Sequence, residues 1–248
     1  MADTQPVPPV ISWVGDIPIR TYASSQPLAP AVLFFHGLRV SGETHDREAR
    51  SLASAGLTVV AVDAPHHGLR RSVVLDTMPD ALTLEGHRVL LRILRAARDE
   101  VPRLVDHLLL AGHPKVAVAG ISMGGFIALA AATAEPRLAA IASVFGSPDW
   151  TPRDGTIPPN LREAVLESPH LHPEAFPPRP LLLLNGGADD NVRPGPAREL
   201  AAKLRPLYAM MGGTLVHHEA EGVDHFPSDA VWTELWSKAV RFLHDALV

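Results

Sequence analysis

The residues with chemistry to offer begin at Gly120-Ile121-Ser122-Met123-Gly124, a G-x-S-x-G motif. A serine hydroxyl becomes a nucleophile when a base takes its proton, and that base is usually a histidine oriented by a carboxylate. The chemistry on offer is therefore acyl transfer. Context gives the motif its meaning. Val116 to Ala119 is a short apolar run that suits a buried strand. Phe126 to Thr133 is rich in Ala and Leu, which form helices well. The motif thus falls on a sharp strand-to-helix turn that pushes Ser122 into the open. The helix behind it aims its free N–H groups and positive dipole end at the same place. The bland alternative is a Gly-rich turn in which Ser122 only caps the helix.

On such a turn the carboxylate and the histidine follow the serine along the chain. Asn185 to Pro194, N-G-G-A-D-D-N-V-R-P, offers Asp189 and Asp190. Glu221 to Pro227, E-G-V-D-H-F-P, offers His225 in a loop just ahead of a helix. His217 and His218 are rivals, but they are adjacent on a strand and face opposite ways, one half-buried and one exposed. His66-His67 and His170-Leu171-His172 invite a metal reading, yet no fitting carboxylate set lies nearby and no metal site is expected.

The elements needed to position these residues alternate. Val10 to Val14 and Ile17 to Ala23 read as a hairpin turning at Gly15-Asp16. Ala31 to Phe35, Leu57 to Val62, Leu138 to Phe145, Pro180 to Leu184 and Thr214 to His218 read as further strands. Between them, helical patterns cover Glu43 to Ala55, Pro79 to Leu110, Pro196 to Met211 and Asp229 to Leu247, with Pro102 expected to kink or split the longest. Alternation of this kind predicts an α/β fold: a mostly parallel sheet of about eight strands, helices on both faces, and an antiparallel edge from the hairpin. All 248 residues are read as one domain, with no internal repeat and no dividing linker.

Composition narrows the function. Hydrophobic residues are 46% and charged residues 20%, ordinary for a globular chain with a large core. The net charge of −5 gives no reason to expect nucleic acid or an anionic membrane as partner. The absence of cysteine excludes disulfides and a cysteine nucleophile. The opening M-A-D-T-Q-P-V-P-P-V lacks a basic region followed by an apolar stretch, so no signal peptide is expected and the cytoplasm is the default location.

Five segments together resemble one superfamily: F-F-H-G at 34 to 37, D-A-P-H-H-G-L-R at 63 to 70, G-I-S-M-G-G at 120 to 125, the stretch at 186 to 194, and G-V-D-H-F at 222 to 226. The chain is similar to the α/β-hydrolases, and among them to small esterases related to dienelactone hydrolase and to the catalytic domain of prolyl oligopeptidase. The resemblance implies a serine carboxylic-ester hydrolase with Ser122 as nucleophile, His225 as base and Asp189 as the orienting acid. The family's acid pattern, similar to G-x-x-D-x-x-V-P, fits Gly186, Asp189 and Val192; Arg193 delays the proline by one place, and a count from Gly187 would select Asp190. Met123 supplies one oxyanion N–H by its position after the nucleophile, and the family places the other on Leu38. His36, Asp63 and Arg70 are read as shaping their loops. No cofactor is implied, and the partner is a small-molecule ester. Rival readings are a thioesterase or acyltransferase on the same residues, and a non-catalytic binding relative. Oligomeric state is not legible.

The Pro-rich stretch Ser147 to Arg179 interrupts the alternation, with one helical patch at Leu161 to Leu166. It leaves the sheet at the rim where Ser122 emerges, so it is expected to form a small, stiff cap. That predicts short acyl chains of roughly two to six carbons and no interfacial activation, because pocket size scales with the cap. Trp150 and Leu161 are read either as pocket lining or as packing within the cap.

Overall fold

A computed structural model describes residues 7–248. The expectation about a leader rests largely on residues 1–6, which lie outside the described residues.

Eight strands form one sheet. In chain order they are β1 (Val10–Val14), β2 (Ile17–Tyr22), β3 (Ala31–Phe35), β4 (Thr58–Val62), β5 (Val116–Ile121), β6 (Ile141–Val144), β7 (Leu181–Gly186) and β8 (Leu215–Ala220). Their spatial order is β1-β2-β4-β3-β5-β6-β7-β8. β1 and β2 pair antiparallel, β2 runs antiparallel to β4, and every later pairing is parallel. The inner parallel strands read as unbroken apolar runs because both of their faces are covered. All five residues of β3 and of β4 are buried.

The helices are α1 (Asp46–Ser54), α2 (Val73–Asp76), α3 (Leu84–Leu110), α4 (Met123–Ala134), α5 (Arg162–Leu166), α6 (Gly195–Met211) and α7 (Asp229–Leu247). Strand alternation divides the core in two. Leu33, Phe35, Val60 and Val118 point to the face covered by α3, α4 and α6, where Leu94, Leu104, Ile127, Leu129 and Leu204 meet them. Val32, Phe34, Val59 and Ala119 point to the opposite face, under Leu52 of α1 and Leu235, Trp236 and Leu243 of α7. α4 is apolar nearly all round and accordingly almost wholly buried.

Three expectations are corrected. Pro102 neither splits nor ends α3, which runs unbroken through it. A proline in a helix interior costs about 3 kcal/mol, but Val101, Leu104 and Val105 are fully buried around it. α3 also starts later than Pro79, at Leu84, where the Thr83 hydroxyl accepts the Gly86 amide and caps the helix. β6, at Ile141–Val144, is shorter than the apolar run suggests: Leu138 and Ala140 are buried ahead of it, Ala140 still accepting the Val118 amide of β5 (3.0 Å), and Phe145 turns out of the strand with φ +54°.

Candidate active site

The parallel strands deliver their C-terminal ends to one rim, and there the chemistry-bearing residues gather. Ser122 sits between β5 and α4 with φ 54° and ψ −117°. A non-glycine residue at positive φ is held there by its surroundings. The Ser122 amide donates to the Val144 carbonyl (2.8 Å), and the Ser122 carbonyl accepts from the Gly125 amide (2.8 Å). The turn leaves no room for side chains. A Cβ on Gly124 would run into the carbonyl of Phe35, and one on Gly120 into the carbonyl of Gly124. Those glycines let α4 press against the end of the sheet and lift Ser122 clear of it.

Ser122 Oγ lies 2.9 Å from His225 Nε2, and His225 Nδ1 lies 2.6 Å from Asp189 Oδ2. Asp189 stands past the end of β7 and is buried. Its second oxygen accepts the amides of Asn191 (2.9 Å) and Val192 (2.8 Å), so the carboxylate is fixed on both sides. Asp190 faces the other way. Its side chain is 79% exposed and pairs with Arg153 at 2.7 Å, which holds its carboxyl below the usual range. The structure therefore brings Ser122, His225 and Asp189 into one hydrogen-bonded line and leaves Asp190 outside it.

His217 and His218 stay within β8, paired in register with Leu183 and Leu184 below the rim. Both are half-buried, not one half-buried and one exposed. Burial pushes His217 below the ordinary histidine range. His66 Nδ1 lies 2.7 Å from Ser72 Oγ, and His170 Nδ1 lies 3.2 Å from the Pro148 carbonyl. Among the described residues no three His, Asp or Glu side chains gather in a metal-binding group.

The loop after β3 carries Leu38 and is clamped from beneath. The fully buried His36 accepts the Ala64 amide at Nε2 (3.0 Å), so its Nδ1–H donates to the Gly37 carbonyl (2.7 Å). Burial lowers it to about 3 and keeps it neutral. His67 repeats the device: Nε2 accepts the Arg39 amide (3.1 Å) and Nδ1–H donates to the Pro65 carbonyl (2.8 Å). Burial lowers its pKa too. The Arg39 guanidinium donates to the Met78 carbonyl (2.6 Å). Among the described residues, the amides of Leu38 and Met123 have no acceptor. Asp63 ties the neighbouring turn by accepting from Arg20 (2.9 Å), Gly42 N (2.9 Å) and Leu69 N (2.9 Å). Burial opposes its ionisation, yet these donors hold its carboxyl below the usual range. Arg70 bonds the Asp63 carbonyl (2.8 Å) and both oxygens of Glu100.

The rim opens into a cavity of about 940 Å³, which Ser122 and His225 both line. Its walls come from the two faces of the sheet. Leu38, Ala81, Leu90 and Phe126 belong to the α3–α4 side; Ile121, Phe145 and Trp232 belong to the α7 side. Asp149, Thr151, Pro152 and Arg153 reach the cavity from the Pro-rich segment. Trp150 does not: it is fully buried with Leu161 and Phe176 in the core. Its carbonyl accepts His87 Nε2–H (2.8 Å) and its amide donates to Ser168 Oγ (3.1 Å). Sequence reasoning missed the His67–Arg39 clamp and the Phe145–Trp232 wall. The only signal for the wall was aromatic residues flanking a strand end and opening a helix.

The sheet order and the serine at its strained turn define an α/β-hydrolase. Residues 26–175 match the family described as serine aminopeptidase, S33, and the chain belongs to that family. It is 31% identical over 210 residues to esterase YjfP of Escherichia coli (strain K12), covering 72% of this chain and 77% of that protein. The crystal structure of TT1662 from Thermus thermophilus superposes with a TM-score of 0.74 at 24% identity, covering 93% of this chain and 94% of that one. Dienelactone hydrolase from Anabaena variabilis shares the fold with a TM-score of 0.61 at 21% identity, covering 97% of each chain.

Proposed function

We propose that the protein is a serine carboxylic-ester hydrolase that acts on small-molecule esters with short acyl chains. The observation that carries this reading is the line Ser122–His225–Asp189, with contacts of 2.9 and 2.6 Å, at a turn that exposes the serine. The likeness to an esterase supports ester over other acyl substrates. Among the described residues no helix is long and apolar enough to cross a membrane.

In this reading Ser122 Oγ attacks the ester carbonyl as His225 Nε2 takes its proton. Asp189 holds the imidazole with Nδ1–H toward itself and balances the charge that forms. The amides of Leu38 and Met123 receive the oxyanion, and preset donors of this kind commonly supply the largest single contribution to catalysis. His225 then gives its proton to the departing alcohol, the acyl group stays on Ser122, and water activated by the same imidazole releases the acid. The segment 147–179 acts as the cap of a single domain. Its contribution of Asp149, Thr151, Pro152 and Arg153 to the cavity wall supports that role. Its one α-helix, α5, has five residues, too little amphipathic surface to dock on a lipid interface.

A fluorophosphonate probe should label wild-type protein and not Ser122→Ala. A series of p-nitrophenyl esters should peak at roughly two to six acyl carbons. A peak on long chains, or a rate jump once substrate forms an emulsion, would remove the short-chain assignment.

A further inference from the structure

The cavity is larger than a short acyl group requires. Its 940 Å³ lies near the top of the roughly 300–1,000 Å³ spanned by small-molecule sites. Its two walls also differ. The α3–α4 side is mostly aliphatic, whereas the α7 side is a run of rings. Phe226 meets His225 edge-on at 5.0 Å, Phe145 lies 5.8 Å from His225, and Trp232 stacks on Phe145 at 5.8 Å. All line the cavity. The indole N–H of Trp232 is taken by Glu48 Oε1 (2.7 Å), so this side chain offers the cavity no free donor. Phe226 is 79% exposed beside His225, an aromatic ring left facing the mouth.

Chemistry says which half of an ester faces this wall. The imidazole that accepts the serine proton must hand it to the leaving oxygen. When the C–O bond breaks, the alcohol therefore departs within reach of His225 Nε2, beside the rings packed on that imidazole.

Resting on the ester-hydrolase reading above, we propose that Trp232 and Phe226, backed by the fully buried Phe145, form a leaving-group site for an aromatic ring, so that the preferred substrates are arylmethyl and aryl esters of short acids. Rings favour offset or edge-to-face partners over saturated groups of equal size. The rings themselves present carbon faces, which match an aryl group better than a sugar or polyol alcohol, although His45 lines the same side of the cavity with a ring nitrogen that has no partner among the described residues.

The test compares benzyl acetate with cyclohexylmethyl acetate, two esters of one acid whose alcohols have similar size and basicity, with acetylcholine as a third arm. Wild type should favour benzyl over cyclohexylmethyl by about tenfold in kcat/KM. Phe226→Ala and Phe226→Leu should both bring that ratio below about threefold, the leucine variant because it keeps apolar bulk without a ring. Because Phe226 is exposed, neither change threatens folding. A wild-type ratio near one, a ratio unmoved by both variants, or a preference for acetylcholine would overturn the proposal while leaving the esterase reading in place. If no ester is hydrolysed and no fluorophosphonate label is taken up, the esterase reading fails and this proposal with it.

Discussion

The turn around Ser122 and the Pro-rich segment 147–179 face each other across the cavity and are held by different forces. At the turn, backbone packs on backbone with no space for a methyl group, and the neighbouring loop hangs on two buried neutral histidines. The segment is anchored by two large buried side chains, Trp150 and Phe176, with Leu161 beside them, and by charges: Glu167 pairs with Arg95 (2.6 Å) and Arg98 (2.5 Å) of α3. Steric and neutral contacts fix geometry to a fraction of an ångström, while half-exposed ion pairs hold a segment near its place and yield to salt. These contacts predict a molecule more rigid where an atom must be aimed than along the ion-paired edge of the segment where a substrate must enter.

The sharpest break in this comparison is Ser122→Ala. It removes a hydroxyl and no core volume, so circular dichroism should be unchanged while esterase activity falls on the order of a million-fold. A pure sample keeping a tenth of wild-type rate would end the assignment. Asp189→Asn should cost about four orders of magnitude by disturbing the imidazole's tautomer. Asp190→Asn touches only Arg153 and Arg193 and should cost less than threefold; the reverse ranking would show that the buried carboxylate is not the orienting one.

Next comes the clamp. His67→Leu removes the acceptor of the Arg39 amide and should lower kcat about a hundredfold, with KM nearly constant, as misplacement of an oxyanion donor does. His67→Gln keeps an acceptor and should recover part of the loss. An unchanged kcat in the leucine variant would detach the clamp from catalysis.

Acid should loosen both regions, since His67 holds the loop beside the turn and His87, its pKa likewise lowered by burial, holds the Trp150 carbonyl. His36, His67 and His217 have folded pKa values below their ordinary one near 6.5. The unfolded chain therefore binds more protons than the folded one as pH falls below about 6.5, and stability drops from there toward the folded values. Each such group contributes up to about 1.4 kcal/mol per pH unit within its window. Urea midpoints between pH 7 and 4.5 should fall, and His36→Gln should flatten the slope if it folds. A midpoint constant over that range would contradict the burial-driven shifts. The smallest effect is Glu167→Gln, at most about 1 kcal/mol. Hydrogen exchange should rise within 147–179 and stay fixed at α4; uniform exchange would erase the contrast between the two regions.

Legibility in the sequence followed the same division. The turn could be read because G-x-S-x-G between an apolar run and an Ala-rich stretch is a local pattern, and so could the late positions of Asp189 and His225. Asp189 against Asp190 was harder, since one residue of register separates them. What distinguishes them is through-space: the Asn191 and Val192 amides on one, and Arg153, 37 residues away in sequence, on the other. Arg39 meets His67 across 28 residues, and Phe145 meets Trp232 across two elements, so no local pattern announces either. The continuity of α3 through Pro102 depends on burial that a single-residue rule does not weigh.

The positive φ of Ser122 also limits how this protein can change over generations. Threonine carries the same hydroxyl, and one methyl group more, but a β-branched side chain is a steric outlier in that region of backbone space. Cysteine has serine's unbranched shape and fits the same backbone. The strained turn thus sorts replacements by branching before reactivity is ever tested, closing the route to a threonine nucleophile and leaving the route to a thiol one open.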